Sequence, residues 1–239
     1  MADGESVPVP LAVRTSDLKV RALSAIVMLV VAGGALWAGG WLWTTLIVVA
    51  GVGIFVEWFR LVVAFTEHSI ATVLWLAAGV AYIGIAVLIL VGLRGENLAT
   101  ILLLVSAVVA TDIGAYFAGR IIGGPKMAPS ISPSKTWAGL YGGMAASALV
   151  FISYSMWLAE FRGHATLLGD NILQWLFFGA VIAIIAQAGD FFESWMKRKA
   201  GVKDSGRILP GHGGIFDRCD GLIAVFSVGT LLSLLSQIG

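Results

Sequence analysis

The sequence predicts an all-α fold: a polytopic integral membrane helical bundle of about seven transmembrane helices, with its N-terminus in the cytoplasm. Three observations predict it. Hydrophobic residues make up 59% of the 239 positions and charged residues only 12%, a balance foreign to water-soluble domains. Charge-poor stretches long enough to cross a bilayer, which takes about 20 helical residues, recur along the chain. Lysine and arginine gather on one side when those stretches are threaded alternately. The short alternating segments of an outer-membrane barrel are not seen.

Taken in order, residues 1–20 are a polar tail carrying VPVP at 7–10; they are given no fold and lead to a basic anchor, Lys19 and Arg21. No charge follows until Glu57. A continuous helix over the intervening 35 residues would reach about 50 Å, against about 30 Å of hydrocarbon. The run must fold back, and it far exceeds the core of a signal peptide. Gly39-Gly40, with Trp37, Trp41 and Trp43 around it, marks the reversal and gives spans at about 21–38 and 41–58. Further spans are expected at about 69–91, 97–118, 137–158, 171–190 and 220–238, and all six prolines lie outside the seven. With the tail inside, 13 lysines and arginines fall on inner segments and two, Arg94 and Arg162, on outer ones. Reading 22–56 as one span would send both large basic loops outside, so the charge bias supports the reversal. The expected organisation is a tail (1–20), N-terminal membrane spans (21–95) and a C-terminal membrane domain (96–239) with cytoplasmic loops 119–136 and 191–219.

Composition also excludes functions. A net charge of +1 leaves no global basic surface for nucleic acid. Cys219 is the single cysteine, so an internal disulfide or cysteine-built metal site is impossible within one chain. The three histidines, His68, His164 and His212, are scattered over different sides, which disfavours zinc.

Charge is concentrated instead between Ser194 and Asp220, where six basic residues, three aspartates and five glycines stand together. Four carboxylates converge on the inner side: Asp112 within the fourth span, Asp190 closing the sixth, and Asp217 and Asp220 leading into the seventh. A carboxylate at membrane depth is costly unless paired or bound to a cation. If the sixth helix continues inward, Asp190, Glu193, Ser194 and Lys197 share one face, as do Asp217 and Asp220. Oxygen-only ligands suit Mg²⁺. Lys197, Arg198, Lys203, Arg207 and Arg218 could neutralise a triphosphate, while Gly206, Gly211, Gly213 and Gly214 let backbone N–H groups approach phosphate. The bland reading of these cations is anchorage of helix ends and contact with anionic headgroups. A second inner loop, Arg120 to Lys135, offers Lys126 and Lys135 with Ser130, Ser132 and Ser134, and lacks the order of a Walker loop.

These residues resemble the phosphatidate cytidylyltransferases, or CDP-diacylglycerol synthases. The likeness rests on Ser194, Lys197-Arg198, Lys203-Asp204, Pro210, His212-Gly213-Gly214, Asp217-Arg218 and Asp220, and upstream on Asp112 with GAYFAGR, ISPSKTW at 131–137 and GDFFES at 189–194. It covers about the C-terminal 130 residues, and the chain departs from the pattern at Ala138, Cys219 and Gly221. The resemblance implies transfer of CMP from CTP to phosphatidic acid, giving CDP-diacylglycerol and pyrophosphate for phospholipid synthesis. It implies Mg²⁺ held by Asp190, Asp217 and Asp220, with room for a monovalent cation such as K⁺. Catalytic roles are expected for Asp190, Ser194, Lys197, Arg198, Lys203, Asp204, His212, Asp217, Arg218 and Asp220, with Ser194 and His212 as contacts, not nucleophile or base. Asp112, Arg120, Lys126, Ser132, Ser134, Lys135, Gly213 and Gly214 are expected to bind substrate. Expected partners are CTP, phosphatidic acid and membrane lipids, with a homodimer as an open arrangement and no nucleic acid. The expected location is a bacterial cytoplasmic membrane, with the site facing the cytoplasm.

Two other classes compete. One is CTP-dependent transfer to another lipid, such as an isoprenoid phosphate or alcohol; the other is an ion-coupled transporter using Asp112 and Asp190. The transporter leaves the 194–220 segment without a purpose, and no internal repeat supports it. A CDP-alcohol phosphotransferase ranks low, because Asp220-Gly221 runs on into Leu-Ile-Ala-Val.

Overall fold

The computed structural model describes residues 11–161, 168–209 and 211–229, with only the backbone described for 11–19 and 168–171. Seven α-helices account for most of them: α1 (Leu11–Ala38), α2 (Gly40–Phe65), α3 (Ser69–Glu96), α4 (Leu98–Ile121), α5 (Trp137–Phe161), α6 (Leu168–Lys199) and α7 (Phe216–Ala224). Six, α1 to α6, contain stretches long and apolar enough to cross a membrane, and the chain is an integral membrane protein. Leu23, Leu29, Val49, Val73, Leu88 and Leu149 stand exposed on them, as lipid-facing side chains should.

The reversal at Gly39-Gly40 is present. Both residues take left-handed backbone angles, φ 66° and 53°, which end one helix and begin the next at little cost only in glycine. Arg94, near the end of α3, seals the break by donating from Nε to the Leu36 carbonyl (2.6 Å) and from Nη2 to the Trp37 carbonyl (3.0 Å). A cation thereby caps the C-terminal carbonyls of α1 and fixes the end of α3 beside the turn.

The expected boundaries need correction in two places, and a third lies mostly outside the described residues. The tail is not without structure throughout, because α1 begins at Leu11; after Pro10 the sequence has no glycine or proline until Gly33, so nothing stops the helix from extending into its polar segment. The inner loop 119–136 is not all connection: β1 (Lys126–Ala128) and β2 (Ser132–Thr136) form a small antiparallel hairpin with Lys126 opposite Thr136. Its hydrogen bonds satisfy backbone groups that Ser, Pro and Gly would otherwise leave to water. Finally, α7 passes into a π-helical turn, Val225–Gly229, while residues 230–238 of the expected seventh span lie outside the described residues.

Small residues set how closely the helices approach. A methyl group on Gly142 of α5 would collide with the Ala118 Cβ and stand 2.7 Å from the Gly114 carbonyl oxygen of α4. Gly179 of α6 lies against the α5 backbone at Ala148, and Gly189 of α6 against Asp220 and Ala224 of α7. Close backbone contact is how membrane helices gain dispersion energy where lipid supplies no hydrophobic drive. Trp58 of α2 packs at 5.7 Å from Phe192 of α6 and 5.9 Å from Phe216 of α7, ring centre to ring centre, with Trp75 and Tyr82 of α3 completing the cluster. Trp58 also donates its Nε1 proton to the Trp75 carbonyl at 3.0 Å.

Replacing Gly142 by valine is expected to overpack the α4–α5 contact and destabilise the protein by about 1–3 kcal/mol. Thermal unfolding in detergent checks this, and an unchanged midpoint would show that the contact can relax.

Candidate active site

The site begins with the reach of α6. Because this helix runs unbroken to Lys199, Asp190, Glu193, Ser194 and Lys197 recur on one face, and the short α7 brings Asp217 and Asp220 against it. Gly189 permits the approach, since any side chain there would strike the Asp220 backbone. One carboxylate oxygen each from Asp190, Glu193 and Asp220 then lies within 4.8 Å of the other two. Three hard oxygen donors from two helices, with Glu193 fully buried, form a group that fits a divalent cation.

Two lysines offset Asp190, Glu193 and Asp217. Lys135, at the end of β2, forms an ion pair with Asp190 Oδ2, donates to Gln187 Oε1 at 3.0 Å and stands 4.5 Å above the Phe191 ring centre. Lys197 pairs with Glu193 one turn earlier on α6 and reaches Asp217 Oδ1 at 2.7 Å. Glu193 Oε1 has no hydrogen-bond partner among the described residues. Such charges are tolerated at low dielectric only in combination.

Asp217 is placed differently from the metal assignment made on sequence. Its Oδ2 accepts from the Ser205 N–H, the Ser205 hydroxyl and the Gly214 N–H, each at 2.9 Å, and its Oδ1 is on Lys197. Burial would raise its carboxyl, but the side-chain contacts with Glu193 and Lys197, the Gly214 N–H and the lysine charge prevail and hold it at about 2. It is a closed, ionised anchor for the loop, and it lies outside the group formed by Asp190, Glu193 and Asp220.

A cavity of about 380 Å³ adjoins the acids, lined by Asp112, Arg120, Ser134, Lys135, Gln187 and Asp190 on its polar side and by Ala115, Tyr116 and Leu140 on its apolar side. That volume suits a phosphate-bearing group. Arg120 is held by its hydrogen bond to the Tyr116 hydroxyl (2.9 Å) and stands over that ring. Thr136 caps α5 by accepting the Gly139 N–H at 3.0 Å, which fixes the neighbouring Lys135.

The remaining predicted residues form a rim. Ser194 makes a long contact, 3.4 Å, to Asp190 Oδ1. Arg198 ties the end of α6 to the hairpin through the Ile131 carbonyl at 3.2 Å. Arg218 donates Nε and Nη2 to the His212 carbonyl, and His212 Nδ1 meets the Ser24 hydroxyl of α1 at 2.7 Å. Gly213 and Gly214 stand beside Asp217 and Ser205. Ser132 is half-buried in β2, whereas Lys126, Lys203 and Asp204 are exposed. Sequence reasoning missed Glu57, Gln187 and Ser205 altogether, and it placed Glu193 on the right face without making it a ligand. Glu57 had one signal: it is the first charge after the uncharged run.

Cations and carboxylates sharing one cavity at the end of a helical membrane bundle describe a membrane enzyme equipped for phosphate groups. Comparison with known proteins gives it a family. A sequence pattern described as "Cytidylyltransferase family" matches residues 61–235. The phosphatidate cytidylyltransferase of Brucella suis is 35% identical over 253 residues, covering 87% of this chain and 90% of that protein. Its namesake from Rickettsia bellii is 36% identical over 213 residues, covering 87% of each. The Staphylococcus epidermidis protein of that name is 42% identical over 153 residues, 64% of this chain and 56% of that one. This chain therefore belongs to the cytidylyltransferase family and is a nucleotidyltransferase, as the residues from Ser194 to Asp220 implied.

Replacing Lys197 by methionine strands two buried carboxylates, and the loss of stability is expected to reach about 3 kcal/mol. Thermal unfolding measures it, and a variant as stable as the wild type would mean that Glu193 and Asp217 are compensated elsewhere.

Proposed function

We propose that this protein transfers CMP from CTP to phosphatidic acid, giving CDP-diacylglycerol and pyrophosphate. The observation that carries the reading is the cavity itself, where Arg120 and Lys135 stand beside Asp190 and against the apolar side chains of Ala115 and Leu140. A lipid phosphate needs cations beside an apolar surface, and its relatives' names supply the acceptor.

In the reaction, a phosphate oxygen of the lipid attacks the α-phosphorus of CTP; the new P–O bond forms as the bond to the β-phosphate oxygen breaks, and pyrophosphate leaves. Repulsion between the two anions is the obstacle. Arg120 and Lys135 hold the lipid phosphate, with Ser132 and Ser134 beside them and Lys126 at the entrance. Asp112 sets the acidic wall of the same cavity. Lys197, Arg198, Lys203 and Arg218 take up the triphosphate charge, and the Gly213 and Gly214 backbone keeps its loop close to it. Asp190, Glu193 and Asp220 would hold Mg²⁺, which supplies charge neutralisation at phosphate oxygens. Asp217 keeps Lys197 and the loop in place, and Asp204 marks the loop's outer edge. Ser194 orients Asp190, while His212 fixes the turn against α1. The attacking oxygen is already anionic, so neither needs to act as nucleophile or base.

The thirteen-to-two distribution of basic residues supports a cytoplasmic N-terminus and a site on the cytoplasmic face of a bacterial inner membrane. The catalytic part is read as the C-terminal one, from residue 96 onward, because α4 to α7 together with the β-hairpin carry the cavity and the acids. The homodimer gains no support from these contacts.

Purified protein in detergent is expected to release pyrophosphate from CTP only with both Mg²⁺ and phosphatidic acid present. Asp190→Asn and Asp220→Asn should each lower the rate by at least about 10²-fold. Turnover with an isoprenoid phosphate but not phosphatidic acid would move the reading to the other lipid, and turnover insensitive to both substitutions would contradict it.

A further inference from the structure

Glu57 belongs to α2, just before the residues that the family pattern matches, and it is fully buried at the foot of the catalytic loop. Its Oε1 accepts the Ile215 N–H at 3.1 Å; its Oε2 accepts the Phe216 N–H at 2.8 Å and, at 3.1 Å, shares with Asp217 the one proton of the Ser205 hydroxyl. Ile215 and Phe216 open α7, and Ile215, at the capping position, has no side chain able to cap. The first N–H groups of any helix lack intrahelical partners and carry the positive end of its dipole. A carboxylate delivered from a helix 158 residues earlier in the chain answers both needs. Ser205 links this cap to the Asp217 anchor, since its hydroxyl lies 3.1 Å from Glu57 Oε2 and 2.9 Å from Asp217 Oδ2.

The fit is close on all sides. A methyl group at Gly206 or Gly214 would run into the Glu57 carboxylate. Trp58, the next residue, presses on Phe192 and Phe216, so α2 can neither rotate nor withdraw without carrying α7 along.

We propose that Glu57 is a positioning residue for the transfer reaction: by capping α7 and holding the loop at Ser205, it sets where Asp220 stands relative to Asp190 and Glu193. This rests on the function proposed above for the acids. Without the Glu57 carboxylate, α7 keeps its sequence but loses its register against α6, and the three acids no longer converge.

The test uses the full chain purified in detergent, as wild type, Glu57→Gln and Gly206→Ala. In the first variant, one carboxylate oxygen becomes an NH₂ facing N–H donors. The second displaces an unaltered Glu57. Two readouts are taken: the rate of tryptic cleavage after the exposed Lys203 and Arg207, and the Mg²⁺ concentration giving half-maximal pyrophosphate release. Hydrogen bonds to a buried charge lead us to expect both to rise at least about tenfold in each variant, with helix content and the KM for phosphatidic acid little changed. Wild-type values for both readouts would overturn the proposal, as would fewer active molecules at an unchanged Mg²⁺ requirement, the signature of a merely structural role. Should Glu57→Gln fail to fold, Gly206→Ala decides. A wild type that releases no pyrophosphate would refute the proposed function, and the cleavage rates would still decide whether Glu57 holds the loop.

Discussion

Carboxylates gathered where membrane helices end are the constraint on which this structure turns. Asp190, Glu193, Asp217 and Asp220 are like charges brought together, and burial adds a cost at Glu193 and Asp217. Lys135 and Lys197 make the arrangement possible, one arriving from the β-hairpin and the other from α6 itself. The two lysines differ in what they join. Lys197 binds two acids and ties α6 to α7, so it belongs to the frame. Lys135 faces the cavity and has one acid, one amide and one ring as neighbours, so it is the cation better placed to turn to an incoming phosphate.

The frame that holds these charges is made by opposites in size. Glycines at 142, 179 and 189 draw α4, α5, α6 and α7 together, while the aromatic cluster around Trp58 fills the space between α2, α3, α6 and α7. The first device fixes distance and the second fixes rotation. Together they place a polar group of modest size with the rigidity that transition-state electrostatics demands. Glu57 and Trp58, adjacent in sequence, apply both to α7: one by hydrogen bonds to its first N–H groups, the other by packing on Phe216.

Much of this was legible in the sequence, for physical reasons that can be named. Charge-free length against bilayer thickness revealed the α1–α2 reversal, and helical spacing put Glu193 and Lys197 on the face of Asp190. The motif between Ser194 and Asp220 revealed the family. Other features resisted. Nothing local marks Ser205 or Gln187 as partners of Asp217 and Lys135, because each contact joins distant segments. The metal assignment of Asp217 followed its three-residue spacing from Asp220, but spacing says nothing about which backbone N–H groups will close around a carboxylate. The β-hairpin was hidden because its strands are short and rich in Ser and Pro, residues that favour turns.

Whether Asp190, Glu193 and Asp220 hold a divalent cation can be tested directly by electron paramagnetic resonance, titrating Mn²⁺ into the purified protein in detergent as a stand-in for Mg²⁺. Saturable loss of the free Mn²⁺ signal, reversed by Mg²⁺ and abolished in Glu193→Gln and Asp220→Asn, is the predicted result. Binding of Mn²⁺ with wild-type affinity in both variants would contradict the assignment and place the metal elsewhere in the molecule.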